Sequence, residues 1–197
     1  AASYDRRARR IARSMVKILH AAGVNFAVLA EERCHAEFAR RLGEEYLYQT
    51  AAQENIENLS HYTFERILTA CPHCFNTLGN EYPEFEGGKF TVIDHPTFIR
   101  ELMTSGRLRL EGGVTDELTV WHDPCYLARQ NHIVEAPREV LGTLRPNKTF
   151  PQEAGEKTFC CGAGGGQIFM DRPARLNVIR LKELRDTAAA TAVSSCP

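Results

Sequence analysis

Apolar residues recur at helical spacing near the start of the chain. Ile11, Met15, Ile18, Leu19 and Ala22 share one face and arginines take the other, which predicts an amphipathic helix over 4–22. The run Val24–Ala30 then reads as a strand. Ala36–Ser60 carries one long helical pattern, with Leu42, Tyr46, Ile56 and Leu59 among its apolar positions. Arg66–Ala70 is a predicted strand, and Phe75–Glu81 a short helix stopped near Pro83. Phe90–Asp94 is a strand, and Pro96–Met103 a helix opened by its proline. Leu118–Trp121 reads as a strand, Ala136–Leu144 as a helix, Arg172–Thr187 as a helix with Pro173 in its first turn, and Thr191–Ser194 as a last strand. Strands alternating with helices predict an α/β fold in which helical crossovers join parallel strands.

The pattern repeats weakly. Arg66–Pro72 and Thr191–Pro197 share a plan, a short strand running into Cys-Pro. Upstream of each, at a similar separation, stands another cysteine: Cys34 before Cys71, and Cys161 before Cys196. The chain therefore reads as two pseudo-repeated lobes of parallel βαβ units, 1–112 and 113–197, divided at Gly112-Gly113. The cysteines are expected at strand C-terminal ends, the edge where open α/β sheets bind ligands.

Composition narrows the picture. The chain has 197 residues, a formal net charge of −1 and 25% charged residues, as in an ordinary soluble domain with a full core. That charge gives no bulk electrostatic case for nucleic acid. No apolar run is long enough to span a bilayer. The arginine-rich start is read as an amphipathic helix rather than a targeting peptide. Since the first residue is not Met, the chain is expected to be processed or a piece of something longer. The basic residues of that helix, Arg6, Arg7, Arg9, Arg10, Arg13 and Lys17, read as a solvated face, with an acidic redox partner or an anionic membrane surface as the sharper alternatives.

Seven cysteines, an odd number, argue against a closed disulfide framework and for metal ligands or redox groups. Three constellations carry them. Cys71-Pro72-His73-Cys74 lies between a strand and a helix, and suits either a thioredoxin-like dithiol or half of a metal site. Cys125 closes Trp121-His122-Asp123-Pro124-Cys125, where His122 and Asp123 read either as outer partners of a ligand or as a plain strand-end turn with a solvated Asp. Cys160 and Cys161 stand side by side and run into Gly162-Ala163-Gly164-Gly165-Gly166. Vicinal cysteines strain to bond each other, so the pair points at something else. The glycines allow backbone N–H groups to approach a bulky anionic object such as a metal–sulfur cluster. No Lys-Ser/Thr follows, so the loop is no Walker A loop, and vicinal cysteines are uncommon in zinc sites. The seven histidines show no ligand spacing, and most read as structural or exposed.

Together these residues resemble the CCG (cysteine-rich) domain iron–sulfur oxidoreductases. That group includes heterodisulfide reductase B and D subunits, the iron–sulfur subunits of glycolate, lactate and glycerol-3-phosphate oxidoreductases, and electron-transfer-flavoprotein:quinone oxidoreductases. The similarity covers nearly the whole chain, and its specific marks are Ala39–Tyr46, Cys71–Leu78, His122–Leu127 and Cys160–Gly166. The resemblance implies that Cys125, Cys160, Cys161 and Cys196 are cluster ligands of the second lobe, with Gly162, Gly164, Gly165 and Gly166 cradling the cluster. It implies Cys34, Cys71 and Cys74 for the first. The family pattern expects one more cysteine beyond each end of the chain, so both ends look clipped at a cluster site. Cys34 stands alone where the family has Cys-Cys-Gly, and His35-Ala36-Glu37-Phe38 replaces the usual Thr-Gly-Asp-Pro. The implied cofactors are then a noncubane [4Fe–4S] cluster in the second lobe and a cubane [4Fe–4S] or three-iron cluster in the first.

The implied role is that of an oxidoreductase subunit or fragment. It would relay electrons between a flavoprotein (electron-transfer flavoprotein or a dehydrogenase subunit) and a quinone, haem or other cluster. The single Cys34, Tyr46 and Asn76 look most like the flavoprotein:quinone type. Disulfide reduction of the heterodisulfide reductase kind, a dithiol oxidoreductase at Cys71 and Cys74, and a structural zinc protein are the alternatives. The expected location is cytoplasmic, with the inner face of the membrane reached through a partner or a missing segment.

Overall fold

The computed structural model describes residues 5–110, 115–170 and 175–197. The boundary expected at Gly112-Gly113 and the start expected for the last helix at Arg172-Pro173 lie outside them. Helix α1 spans Arg6–Ala21, where Asp5 caps the N-terminus by accepting from the Ala8 N–H at 2.7 Å. It buries Ala8 and Leu19.

The predicted strand Val24–Ala30 does not form. Val24 and Phe26 still pack on the core, but Val28 is 68% exposed and no strand pairs with the segment among the described residues. Alternating burial alone does not make a strand without a ladder. The single long helix expected over Ala36–Ser60 is two: α2, Glu37–Leu42, and α3, Glu45–Ser60. Gly43, at φ 90°, closes α2 by sending its N–H back to the α2 carbonyls. The break resets the helical phase. Tyr48, Ala52, Ile56 and Leu59 are buried, while Leu42 and Tyr46, expected on the same apolar face, are exposed.

Strand β1, Ile67–Thr69, leads into α4, Pro72–Asn76, which continues through a π-turn at Thr77–Glu81 and a 3-10 turn at Tyr82–Glu84. This crossover returns the chain to β2, Val92–Asp94, which pairs parallel with β1. Helix α5, His95–Thr104, follows, capped by Asp94. The second half carries β3 (Thr119–His122), α6 (Cys125–Ala128), α7 (Glu135–Leu144), β4 (Lys148–Thr149), α8 (Leu176–Arg185) and β5 (Thr191–Ser194). Its three strands are parallel in the order β4-β3-β5. The short β4 had no sequence signal.

The fold is thus α/β with parallel sheets, one in each half. One core cluster gathers Leu19, Ile93, Phe98, Ile99 and Leu102 between α1, β2 and α5. A second gathers Ala39, Tyr48, Ala52, Ile56 and Tyr82 between α2, α3 and the 3-10 turn. The halves pack together, α4 against α6 and α5 against α7.

Candidate metal centres

In the first half, Cys71 follows β1 and caps α4, with Pro72 at the first helical position. Its thiol sits where a helix N-terminus points its free N–H groups. The Cys71 pKa is lowered to about 6, first by a hydrogen bond from the Cys74 thiol, against burial, with further help from the Cys74 and His73 N–H groups. Cys74 moves the other way, because it gives that hydrogen bond and is itself buried. Cys34 lies on the exposed loop before α2, within electrostatic reach of Cys74, and its Sγ accepts from the Ala36 N–H at 3.4 Å. The loop is tied down by Asn55 in α3, which donates to the Cys34 carbonyl at 3.1 Å.

In the second half, Cys160 is the hydrogen-bond acceptor for both Cys125 and Cys161, and this pulls its pKa to about 2. The Gly162 N–H also donates to Cys160 Sγ, at 3.3 Å. Cys125 and Cys161 are raised, first by giving those bonds and then by burial. Cys196 is raised to about 12 by burial and by the nearby Cys71 and Cys160. Each half therefore presents one thiol drawn toward thiolate, met by backbone N–H donors. The register His122↔Ser194 explains how residues far apart in sequence meet. Cys125 and Cys196 leave the same edge of a parallel pair.

Polar side chains hold these positions. Asp123 is 1% exposed, so it is no solvated turn residue. It accepts from Trp121 Nε1 at 2.7 Å, from Arg138 at 2.7 and 3.1 Å, and from the Gly155 N–H at 2.7 Å. Its carbonyl accepts from Thr158 Oγ1 at 2.9 Å, which pins the approach to Cys160. His122 accepts from the buried Arg180 guanidinium, with Nη2 at 2.9 Å. Burial first, then Arg180, lowers the His122 pKa to about 4, so it stays neutral.

The two halves meet at His73. Its ring lies 4.0 Å from the Tyr126 ring, centroid to centroid, and within electrostatic reach of Cys71 and Cys160. Its Nδ1 stands 3.3 Å from Glu37 Oε2, an ion-pair distance, but off the line that a hydrogen bond requires. Buried Glu37 also takes Tyr126 Oη at 2.8 Å and Arg41 Nε at 3.2 Å. Burial pushes the Glu37 pKa up, but the ion-pair contact with His73 and the bonds from Tyr126 and Arg41 outweigh it and hold the carboxyl at about 2. His73 is correspondingly raised: burial lowers it, and Glu37, Cys71 and Cys160 more than compensate.

The glycines of the loop sit against this junction. A Cβ on Gly164 would lie 2.2 Å from the His73 ring, and one on Gly162 would lie 2.9 Å from the Asn177 N. Gly165 faces Arg41, and Gly166 packs on Leu42. The room these glycines leave is filled by protein, and it is the Gly162 N–H that turns to a sulfur.

Cys71, Cys125 and Cys196 stand two or three residues past β1, β3 and β5. Cys34, Cys160 and Cys161 lie on loops that no strand leads into directly. Among the described residues, no three His, Cys, Asp or Glu side chains converge tightly enough for a single metal ion. A multi-iron cluster is broader than one ion and is held by thiolates spread around it, so the donor chemistry fits a cluster: thiols in groups, one in each already acidic, with N–H donors to sulfur.

Sequence reasoning passed over Glu37, Asn55, His73 and Arg180. Asn55 left a signal, a polar residue on the buried stripe of Tyr48, Ala52, Ile56 and Leu59. Arg180 left none, as one of several charged residues on the last predicted helix.

The CCG cysteine-rich domain model matches residues 2–79 and 119–197. A probable membrane-anchored ferredoxin of Chromohalobacter salexigens is 43% identical over 98% of this chain. An EtfAB:quinone oxidoreductase of Syntrophomonas wolfei is 38% identical over 95%, and a dihydromethanophenazine:CoB–CoM heterodisulfide reductase polypeptide of Methanosarcina barkeri is 31% identical over 92%. The chain spans 30%, 26% and 46% of the length of these relatives. No solved structure matches the chain. The two matched segments hold all seven cysteines, and the chain belongs to the CCG cysteine-rich domain family.

Proposed function

We propose that this chain is an iron–sulfur electron-transfer domain of an oxidoreductase. In this reading its two lobes, 1–112 and 113–197, hold one cluster each. Cys34, Cys71 and Cys74 bind the first, a cubane [4Fe–4S] or three-iron cluster. Cys125, Cys160, Cys161 and Cys196 bind the second, a noncubane [4Fe–4S]. Bound clusters would supply one-electron donors and acceptors.

The observation that carries the reading is a backbone N–H turned onto a sulfur in each thiol group, Ala36 onto Cys34 at 3.4 Å and Gly162 onto Cys160 at 3.3 Å. In each, one cysteine is held toward thiolate by neighbouring thiols and N–H donors, which is the protonation state that iron demands. The Gly162 N–H on Cys160 is a bond of the kind that tunes cluster potential. The proposed partners are a flavoprotein on one side and a quinone, haem or further cluster on the other. The relatives named as a quinone oxidoreductase and a membrane-anchored ferredoxin support this. No helix of the described residues is long and apolar enough to cross a membrane. The proposed place of the chain is the cytoplasm, with the inner membrane face reached through a partner or a further segment.

A second reading is favoured by one feature. Cys71, at a helix N-terminus with Cys74 as its hydrogen-bond donor, has the arrangement of an attacking thiolate. There, Cys71 and Cys74 would give up two electrons and two protons to a substrate disulfide and close a disulfide of their own.

Anaerobic purification after iron-replete expression separates the two. The cluster reading expects iron and acid-labile sulfide in matching amounts and a brown visible spectrum. A colourless protein without iron, with reactive thiols at Cys71 and Cys74, overturns it in favour of the dithiol.

A further inference from the structure

Past its Asp5 cap, the first turn of helix α1 runs against the helix dipole. That turn holds no acidic residue, and Arg6, Arg7, Arg9 and Arg10 crowd the positive end. Among the described residues, Arg6, Arg7, Arg10, Arg13 and Lys17 have no ion-pair partner, although the chain as a whole is slightly negative. At 3.6 residues per turn, Arg6, Arg10, Arg13 and Lys17 form one exposed arc, and Arg7 stands where this arc meets the apolar face. A surface of ordinary solvated charge would intersperse both signs.

Beside that border runs a groove of about 280 Å³ between α1 and α5. Ile11, Met15 and Ile99 give it an apolar floor, and Arg7 and Arg10 line it together with Ala70. Ala70 is the residue before Cys71, and Arg7 lies within electrostatic reach of Cys196. Cations and an apolar slot thus lie next to a cysteine from each half.

We propose that the basic arc of α1 and the groove beside it are the docking face for an acidic electron-carrying protein. This rests on the cluster reading above and adds where the partner binds. The acidic rim of the partner pairs with Arg6, Arg7, Arg10 and Arg13, and one of its apolar side chains fills the groove as an anchor. Such faces steer encounter through long-range charge and set orientation through the buried anchor. A lipid surface is the poorer occupant, because the apolar face of α1 is packed into the core and has little to insert.

Two acidic redox proteins, a flavodoxin and a plant-type [2Fe–2S] ferredoxin, serve as probes. Binding to the 197-residue chain is measured by calorimetry at low salt and at physiological salt. We expect binding at low salt that weakens by about tenfold or more as the salt rises. The Arg7→Glu/Arg10→Glu/Arg13→Glu variant should lose that binding by at least about tenfold, and the milder Arg10→Gln/Arg13→Gln variant by less. The exposed pair Lys182→Glu/Arg185→Glu on α8 should leave it unchanged. Circular dichroism confirms the fold of each variant. No binding to either probe, or equal binding by the triple variant, overturns the proposal. So does binding to phosphatidylglycerol vesicles without binding to either probe. Iron and sulfide are assayed on the same samples. Iron without docking sinks this proposal alone, and docking without iron sinks the cluster reading while leaving a charged docking face.

Discussion

Tyr126 Oη donates to Glu37 Oε1 at 2.8 Å, joining residues 89 positions apart and tying the second CCG repeat to the first. Glu37 is 3% exposed, so this is a buried charge with a full set of donors rather than a surface pair. Around it His73, Arg41 and Tyr126 close one network, and His73 stands between the two groups of cysteines.

Removing the tyrosine hydroxyl leaves Glu37 short of one charge-assisted bond. Tyr126→Phe should destabilise the fold by about 1.5–3 kcal/mol, read from urea unfolding. A change within error would mean that the contact is not held in solution.

The same carboxylate fixes a pH window. The Glu37 pKa is lowered from 4.5 to about 2 in the folded chain. A depressed carboxylate contributes stability that is fully present above its unfolded pKa and is lost as pH falls through its folded pKa. Wild-type stability should therefore fall as pH drops from 4.5 toward 2. Glu37→Gln should flatten that slope, followed by circular dichroism during acid unfolding. An unchanged slope would assign the acid sensitivity elsewhere.

Gly164 has no room for a side chain. Gly164→Ala puts a methyl group 2.2 Å from the His73 ring, which is itself stacked on Tyr126. A loss of about 1–3 kcal/mol is expected, since neither ring can retreat cheaply. Gly79→Ala is the comparison, because its added carbon would meet Val92 at an ordinary 3.8 Å. Equal effects of the two substitutions would contradict the packing of the glycine loop on His73.

Asp123 holds the turn before Cys125. Asp123→Ala strands the Arg138 guanidinium and the Trp121 N–H, and should cost about 3–5 kcal/mol. If the clusters are bound as proposed, it should also lower the iron content of the second site before that of the first. A variant with wild-type stability would show that the network is dispensable.

The two cysteine groups should fail separately. Cys160→Ser is expected to lose the iron of one site and keep that of the other, and Cys71→Ser to do the reverse. Iron per chain and the visible spectrum measure this, and equal loss from both sites in either variant would contradict two separate centres. Chelation of all the iron should also loosen the fold, visible as faster proteolysis.

Much of this molecule is legible in its sequence, because short-range physics sets it. Apolar patterning and turn residues located α1, α5, α7, β1, β2, β3 and β5 to within a few residues. The cysteine spacing marked every sulfur that the structure groups, since CxxC at a helix start and a vicinal pair before glycines are local patterns. Tertiary structure decided the rest. Val24–Ala30 has strand-like alternation but no neighbour to pair with among the described residues, and Gly43 breaks a helix whose pattern looked continuous. The parallel register of β3 and β5 sets the strand ends that precede Cys125 and Cys196 side by side, which no local pattern encodes. Glu37, His73 and Tyr126 acquire their protonation and packing only from one another, across a junction between halves. A charge buried at such a junction depends on partners that the chain delivers from far away, and only the folded arrangement supplies them.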